Sequence, residues 1–187
     1  MRWIPFLIFS YLILILQCSV GKILVFHSAW PGPFGPDFLV IFALFTFLCA
    51  REPLDGILAG CILGLLWDLG MAGAGWRAGP MALTFAFCGW WIIGIREAGF
   101  RSRALTQMLL AALFVVVAHA VWITAQSFLA LGTVSWGDYG SLLVRALLSA
   151  ICTALLTPLL IVSLAPFRKW LVSPVYAAGR GRRDRRR

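Results

Sequence analysis

Six apolar runs, at about residues 3–20, 37–50, 54–69, 80–95, 104–131 and 141–165, take up most of the chain and are separated by charges or Gly/Pro clusters. No other feature restricts the fold as strongly. Peptide groups in hydrocarbon must be hydrogen-bonded within their own segment or in a closed barrel, and none of these runs alternates as a barrel strand does. The runs therefore predict an all-α integral membrane protein of six transmembrane helices. Composition agrees: 61% of the 187 residues are hydrophobic and 12% charged, with a mean hydropathy of +0.93. That leaves too few polar residues to cover a water-soluble surface.

The predicted helices are unequal. The second and fourth runs, at about 14 to 16 residues, reach only about 21 to 24 Å against a hydrocarbon core of about 30 Å, so they are expected to be flanked by protein or thinned lipid. The fifth is long enough to tilt or protrude. The first, Trp3 to Val20, follows a single basic residue and is longer than a signal-peptide core. It lacks a small-x-small cleavage site, so it reads as a retained span.

The formal charge of +9 resembles a nucleic-acid signature until the basic residues are located. Eight of the sixteen Lys and Arg residues lie between Arg168 and Arg187, so the charge belongs to a tail. Residues 1–171 are expected to form the membrane domain and residues 172–187 a disordered Arg-rich tail that meets anionic lipid and no nucleic acid. With six spans and a cytoplasmic C-terminus, thirteen of the sixteen basic residues fall inside, and only Lys22, Arg77 and Arg145 fall outside. The asymmetry predicts cytoplasmic termini. Trp3, Trp30, Trp67, Trp76, Trp136 and Trp170 fall near span ends, where amphipathic rings are favoured, whereas Trp90, Trp91 and Trp122 lie deeper and are expected to pack between helices.

The third span opens at Pro53, suited to a first helical position, and places Gly56, Gly60, Gly64 and Asp68 at four-residue intervals on one face. Overlapping GxxxG units let another helix approach closely, as a partner-binding face or as an internal contact between spans. Asp37 follows Pro36 at the start of the second span, where it is expected to serve as a helix cap or a partner contact. Arg145, near the outer end of the sixth span, is a candidate ion-pair partner for Asp68 or Asp138. The outer half of the fifth span carries His119, Trp122, Thr124, Gln126 and Ser127, and the seven-residue step from His119 to Gln126 puts both on one face that can line a pocket.

Enzymatic chemistry finds little support. Asp37, Asp68 and Asp138 would be the carboxylates of a membrane aspartyl peptidase. Asp138, however, sits in Gly137-Asp138-Tyr139-Gly140, which reads as a loop turn, and no metal set or phosphate loop of usual spacing is present. Cys18, Cys49, Cys61, Cys88 and Cys152 all fall within apolar runs without a CxxC pair and are expected to be small core residues. No metal or other cofactor is expected. The longest outer connection, Gly21 to Pro36, is rich in turn residues (Trp30-Pro-Gly-Pro-Phe-Gly-Pro36) and reads as a cap over the helices.

Pro36-Asp37-Phe-Leu-Val, Arg51-Glu-Pro-Leu-Asp-Gly56 and Gly60-Cys-Ile-Leu-Gly64-Leu-Leu-Trp-Asp68, followed by a Gly-rich stretch to Gly79, resemble MreD, the rod shape-determining family of membrane proteins. The resemblance is strongest over residues 36–80. It implies a fold similar to the substrate-binding subunits of energy-coupling-factor vitamin transporters. It also implies a non-enzymatic place in the cell-wall elongation machinery beside MreC, MreB, RodA and a class B penicillin-binding protein. MreC is then the expected direct partner, at Asp37 and the Gly56–Asp68 face, and a homodimer is a further possibility. The alternative on the same fold is a transporter subunit binding a vitamin-like small molecule, for which a pocket beneath the Gly21–Pro36 cap would be the distinguishing feature.

Overall fold

The computed structural model describes residues 1–30, 32–50, 52–70, 79–96, 104–129 and 136–171. Their regular structure is helical: α1 (Trp3–Ile23), α2 (Phe38–Cys49), α3 (Pro53–Gly70), α4 (Pro80–Arg96), α5 (Ala104–Leu129) and α6 (Trp136–Leu164), then a 3-10 turn (Ala165–Phe167) and a short α7 (Arg168–Leu171). Four of these, α1, α3, α5 and α6, are long and apolar enough to cross a membrane, while α2 and α4 are shorter apolar helices. The chain is thus a helical membrane protein with helices of unequal length. The Arg-rich tail and the Gly-rich stretch before Gly79 lie outside the described residues.

The short α2 is the axis of the bundle. All twelve of its residues are buried, and it touches α1, α3, α4, α5 and α6. At about 18 Å it would be mismatched to lipid, and enclosure by protein removes that mismatch. Phe42 stacks on Phe6 of α1 at 6.1 Å and Phe47 meets Phe114 of α5 at 5.9 Å, with Phe85 of α4 4.8 Å from the same Phe114 ring. Because lipid tails are as apolar as these side chains, close packing and interhelical hydrogen bonds hold such a bundle, more than expulsion of apolar surface from the solvent.

Both ends of the described chain lie at one end of the bundle. The Arg2 N–H donates to Leu171 O at 3.0 Å, and Phe9 of α1 packs on Phe167 at 5.0 Å. The opposite end carries the connection from α1 to α2, where Phe26 and Phe34 exchange backbone hydrogen bonds of 2.8 and 3.1 Å and stack their rings. Gly32, at φ 103°, supplies the left-handed residue this tight reversal needs. The expected cap is therefore a small hairpin-like strap.

Three expectations are corrected here. Trp67 is 3% exposed and packs inside the bundle, while Trp90 and Trp91 are 53% and 37% exposed on the outer face of α4. Position along a span reports depth, and only the helix's rotation decides which way a ring faces. Helix α6 begins five residues earlier than the apolar run, so Asp138 lies in its first turn and not in a loop. An acidic residue there is favoured by the helix dipole, which outweighs the turn signal of the flanking glycines. Of the cysteines only Cys49 and Cys88 are buried, whereas Cys18 is exposed and Cys61 and Cys152 are intermediate.

Candidate functional site

The glycine face of α3 lies against α4 of the same chain. A methyl group at Gly60 or Gly64 would collide with the backbone carbonyls of Phe85 or Met81, and one at Gly56 with the Ile93 side chain. From the other side, a methyl at Gly89 would lie 2.6 Å from Gly56 O. The two backbones touch along most of their length. Of the two roles the spacing allowed, internal packing is the one these glycines perform, and the face is not open to a partner in this conformation.

Asp68 completes that seam. Its Oδ2 accepts the Gly79 N–H at 2.7 Å, and its carboxylate also receives the N–H groups of Met81 and Ala82. Pro80 is the first residue of α4, so these are the unpaired amides of its first turn. Asp68 is a cap supplied across the seam to a neighbouring helix, and its charge opposes the positive end of that helix's dipole. Asp68 and Arg145 form no ion pair within 4 Å, nor do Asp138 and Arg145. The Asp138 side chain is exposed.

Asp37 is the centre of a second cluster. It occupies the N-cap position of α2 but makes no side-chain cap bond. Neighbouring helices cap α2 instead: the Phe38 N–H donates to Gln17 Oε1 of α1 at 2.7 Å, and the Asp37 N–H donates to Thr153 Oγ1 of α6 at 3.0 Å. The Asp37 carboxylate, 6% exposed, lies 3.4 Å from Gln17 Nε2, 3.6 Å from His119 Nε2 of α5 and within reach of the Trp67 indole N–H of α3. Trp67 packs edge-on against His119 and Trp122, with centroids 6.0 and 5.7 Å apart. Side chains from α1, α3, α5 and α6 thus converge on the first residues of α2.

The protonation of this cluster follows from its partners. His119 Nδ1 lies 3.0 Å from Val115 O, an acceptor only, so Nδ1 carries a hydrogen. A bare Nε2 would then point a lone pair at a carboxylate 3.6 Å away. The pair is complementary when it holds one proton, on either side, and in both forms it is electrically neutral. Thr153, in turn, donates its hydroxyl to Ser149 O at 2.7 Å, leaving its lone pair for the Asp37 N–H.

Beside the cluster, beneath the strap, is a partly open cavity of about 700 Å³, within the range that holds a small-molecule ligand. Its walls come from α1 (Leu14, Gln17, Cys18), α5 (His119, Trp122, Ile123), α6 (Leu142, Arg145, Ala146, Ser149), Trp67 of α3 and the strap from Val25 to Pro36. His119, Trp122 and Arg145 all line this cavity; the sequence offered the first two as pocket residues and Arg145 as an ion-pair partner. Gln126 lies in α5, but its side chain is outside the described set.

Gln17, Thr153 and Trp67 were not singled out for this cluster by the sequence. The first two have a signal: a lone amide in an apolar run, and the four-residue series Ser149, Thr153, Thr157, all buried. Among the described residues no group of His, Cys, Asp and Glu is arranged to hold a metal ion. No family model, curated protein or solved structure matches this chain.

Proposed function

We propose that this chain is a non-enzymatic scaffold subunit of the bacterial cell-wall elongation machinery. In this reading it sits in the inner membrane with both termini cytoplasmic, binds MreC directly, and works beside MreB, RodA and a class B penicillin-binding protein to maintain rod shape. The observation that carries the reading is that the residues behind the MreD resemblance, Asp37, Gly60, Gly64 and Asp68, are the ones that lock the helices into a single body. A body built around a buried α2, with broad apolar outer faces, suits holding a single-span partner in lipid. Because α4 occupies the glycine face, MreC must engage another surface.

Co-purification from membranes with tagged MreC tests this. Photo-crosslinking residues placed at exposed Ile8 and Leu12 of α1 and Ile151 and Leu155 of α6 would locate the contact, with at least one position expected to crosslink. Failure to recover MreC with well-folded protein would sink the reading.

The cavity favours a second reading, a small-molecule-binding subunit of a transporter. Recovery of a bound vitamin-like compound together with an energising ATPase module would establish it in place of the scaffold. The peptidase alternative is weakened, since Asp37 is engaged by His119, Asp68 by the start of α4, and Asp138 is exposed.

A further inference from the structure

Arg145 lies about 14 Å along α6 from its first residue, at 1.5 Å per residue, inside the stretch Asp138–Leu171 that is long and apolar enough to cross a membrane, where an ionised side chain is costly and commonly marks a functional site. It lines the cavity and is half-buried. Among the described residues no carboxylate stands within 4 Å of it. The one acid that lines the cavity, Asp37, is already engaged by His119, Trp67 and Gln17, whereas Arg145 has no such partner among the described residues.

The remaining wall is largely apolar and aromatic, with Leu14, Leu39, Trp122, Ile123 and Leu142. The cavity also separates two helices. At the end bearing the chain termini, α1 is tied to the residues that follow α6 through Phe9, Phe167 and Leu171, but α1 and α6 themselves make little direct contact. At the strap end, the space between Gln17–Cys18 and Leu142–Arg145 is part of the cavity. The cavity is thus flanked by two helices that are not closely packed on each other, and such a gap suits the chain of a lipid.

We propose that this cavity binds a membrane amphiphile with a compact anionic head group, phosphate or carboxylate, paired with Arg145 while its apolar portion lies against Trp122, Ile123 and Leu142. Guanidinium suits such heads because its planar donors match two oxygens at once. When the Asp37–His119 pair holds one proton, it adds no net charge beside the head. The proposal specifies the ligand chemistry of the cavity on which the binding-subunit reading rests, and it is equally compatible with a scaffold that carries a lipid.

The test titrates the purified full-length chain in neutral detergent with short-chain phosphatidic acid, the matching phosphatidylcholine and inorganic phosphate, counting adducts by native mass spectrometry. One phosphatidic acid per chain is expected. Arg145→Gln should weaken it by about tenfold or more, Arg145→Lys, which keeps the charge but not the two-oxygen fork, should fall between Arg145→Gln and the wild type, and Leu142→Trp, which fills the cavity, should abolish it. Lys169→Gln, on an exposed site at the other end of the bundle, should change nothing. Equal binding of phosphatidylcholine, or wild-type affinity in Arg145→Gln, overturns the anionic assignment. If Leu142→Trp still blocks that binding, the cavity remains a ligand site and only its head-group preference is wrong. Inorganic phosphate saturating the site at the lipid's own concentration overturns the amphiphile in favour of a free anion. Absence of binding by all three probes overturns the amphiphile proposal, while retention of a different ligand by the purified chain would leave the binding-subunit reading standing.

Discussion

The seam between α3 and α4 and the cluster at the start of α2 use their polar and small residues in opposite ways. In the seam, glycines remove side chains until backbones touch, and the one charge, Asp68, is consumed in capping α4. At the cluster, side chains from four helices surround Asp37 and leave a cavity of about 700 Å³ beside it. The first arrangement has no room to move or to bind. The second holds Arg145 and open volume, so of the two it is the one with room for a ligand.

Substitutions can break this contrast. The largest effect is expected from Gly60→Leu, whose side chain would have to displace the Phe85 backbone, at a cost at or above the roughly 1–3 kcal/mol typical of overpacking. The yield of monodisperse protein should collapse. Normal yield with intact helicity would mean that the seam is looser than described. Next, Asp37→Asn and His119→Gln should each lower the unfolding midpoint in detergent, with a coupling between them of about 0.5–3 kcal/mol as for residues in contact. A double variant that is merely additive would remove the pair from the cluster. Asp68→Ala should cost about 0.5–2 kcal/mol, as loss of a helix cap does, and Asp68→Asn should recover part of it; equal losses would point to charge alone. The smallest change is expected for Thr46→Val. The Thr46 hydroxyl is buried in α2 without a hydrogen-bond partner among the described residues, so removing it should leave the melting point unchanged or slightly raised.

Much of the fold was legible because hydropathy and helix breakers act locally. The six runs correspond to α1 through α6, and the shortness of the second anticipated its enclosure by protein. The cap beneath which a pocket would lie was also readable, from Gly32 and the prolines around it. What failed was rotational. Trp67 and Trp90 are both apolar rings on helices, and nothing local indicates that the first points inward and the second outward. The site was legible only in pieces: His119 and Trp122 could be proposed as pocket residues and Arg145 as an ion-pair partner, whereas the meeting of Asp37 with Gln17, His119 and Thr153 spans up to 116 residues of separation.

The sequence by itself determined that this is a helical membrane protein, which segments form its helices, and where close helix approach is permitted, because each of these depends on residues within a few turns of one another. Only the tertiary structure decided which helix takes up the glycine face, which amides Asp68 and Gln17 cap, and that Arg145 lies beside a cavity with no carboxylate within 4 Å among the described residues. Those outcomes depend on how helices rotate and cross, and in lipid that is set by the fit of distant surfaces, not by the polarity of any one of them.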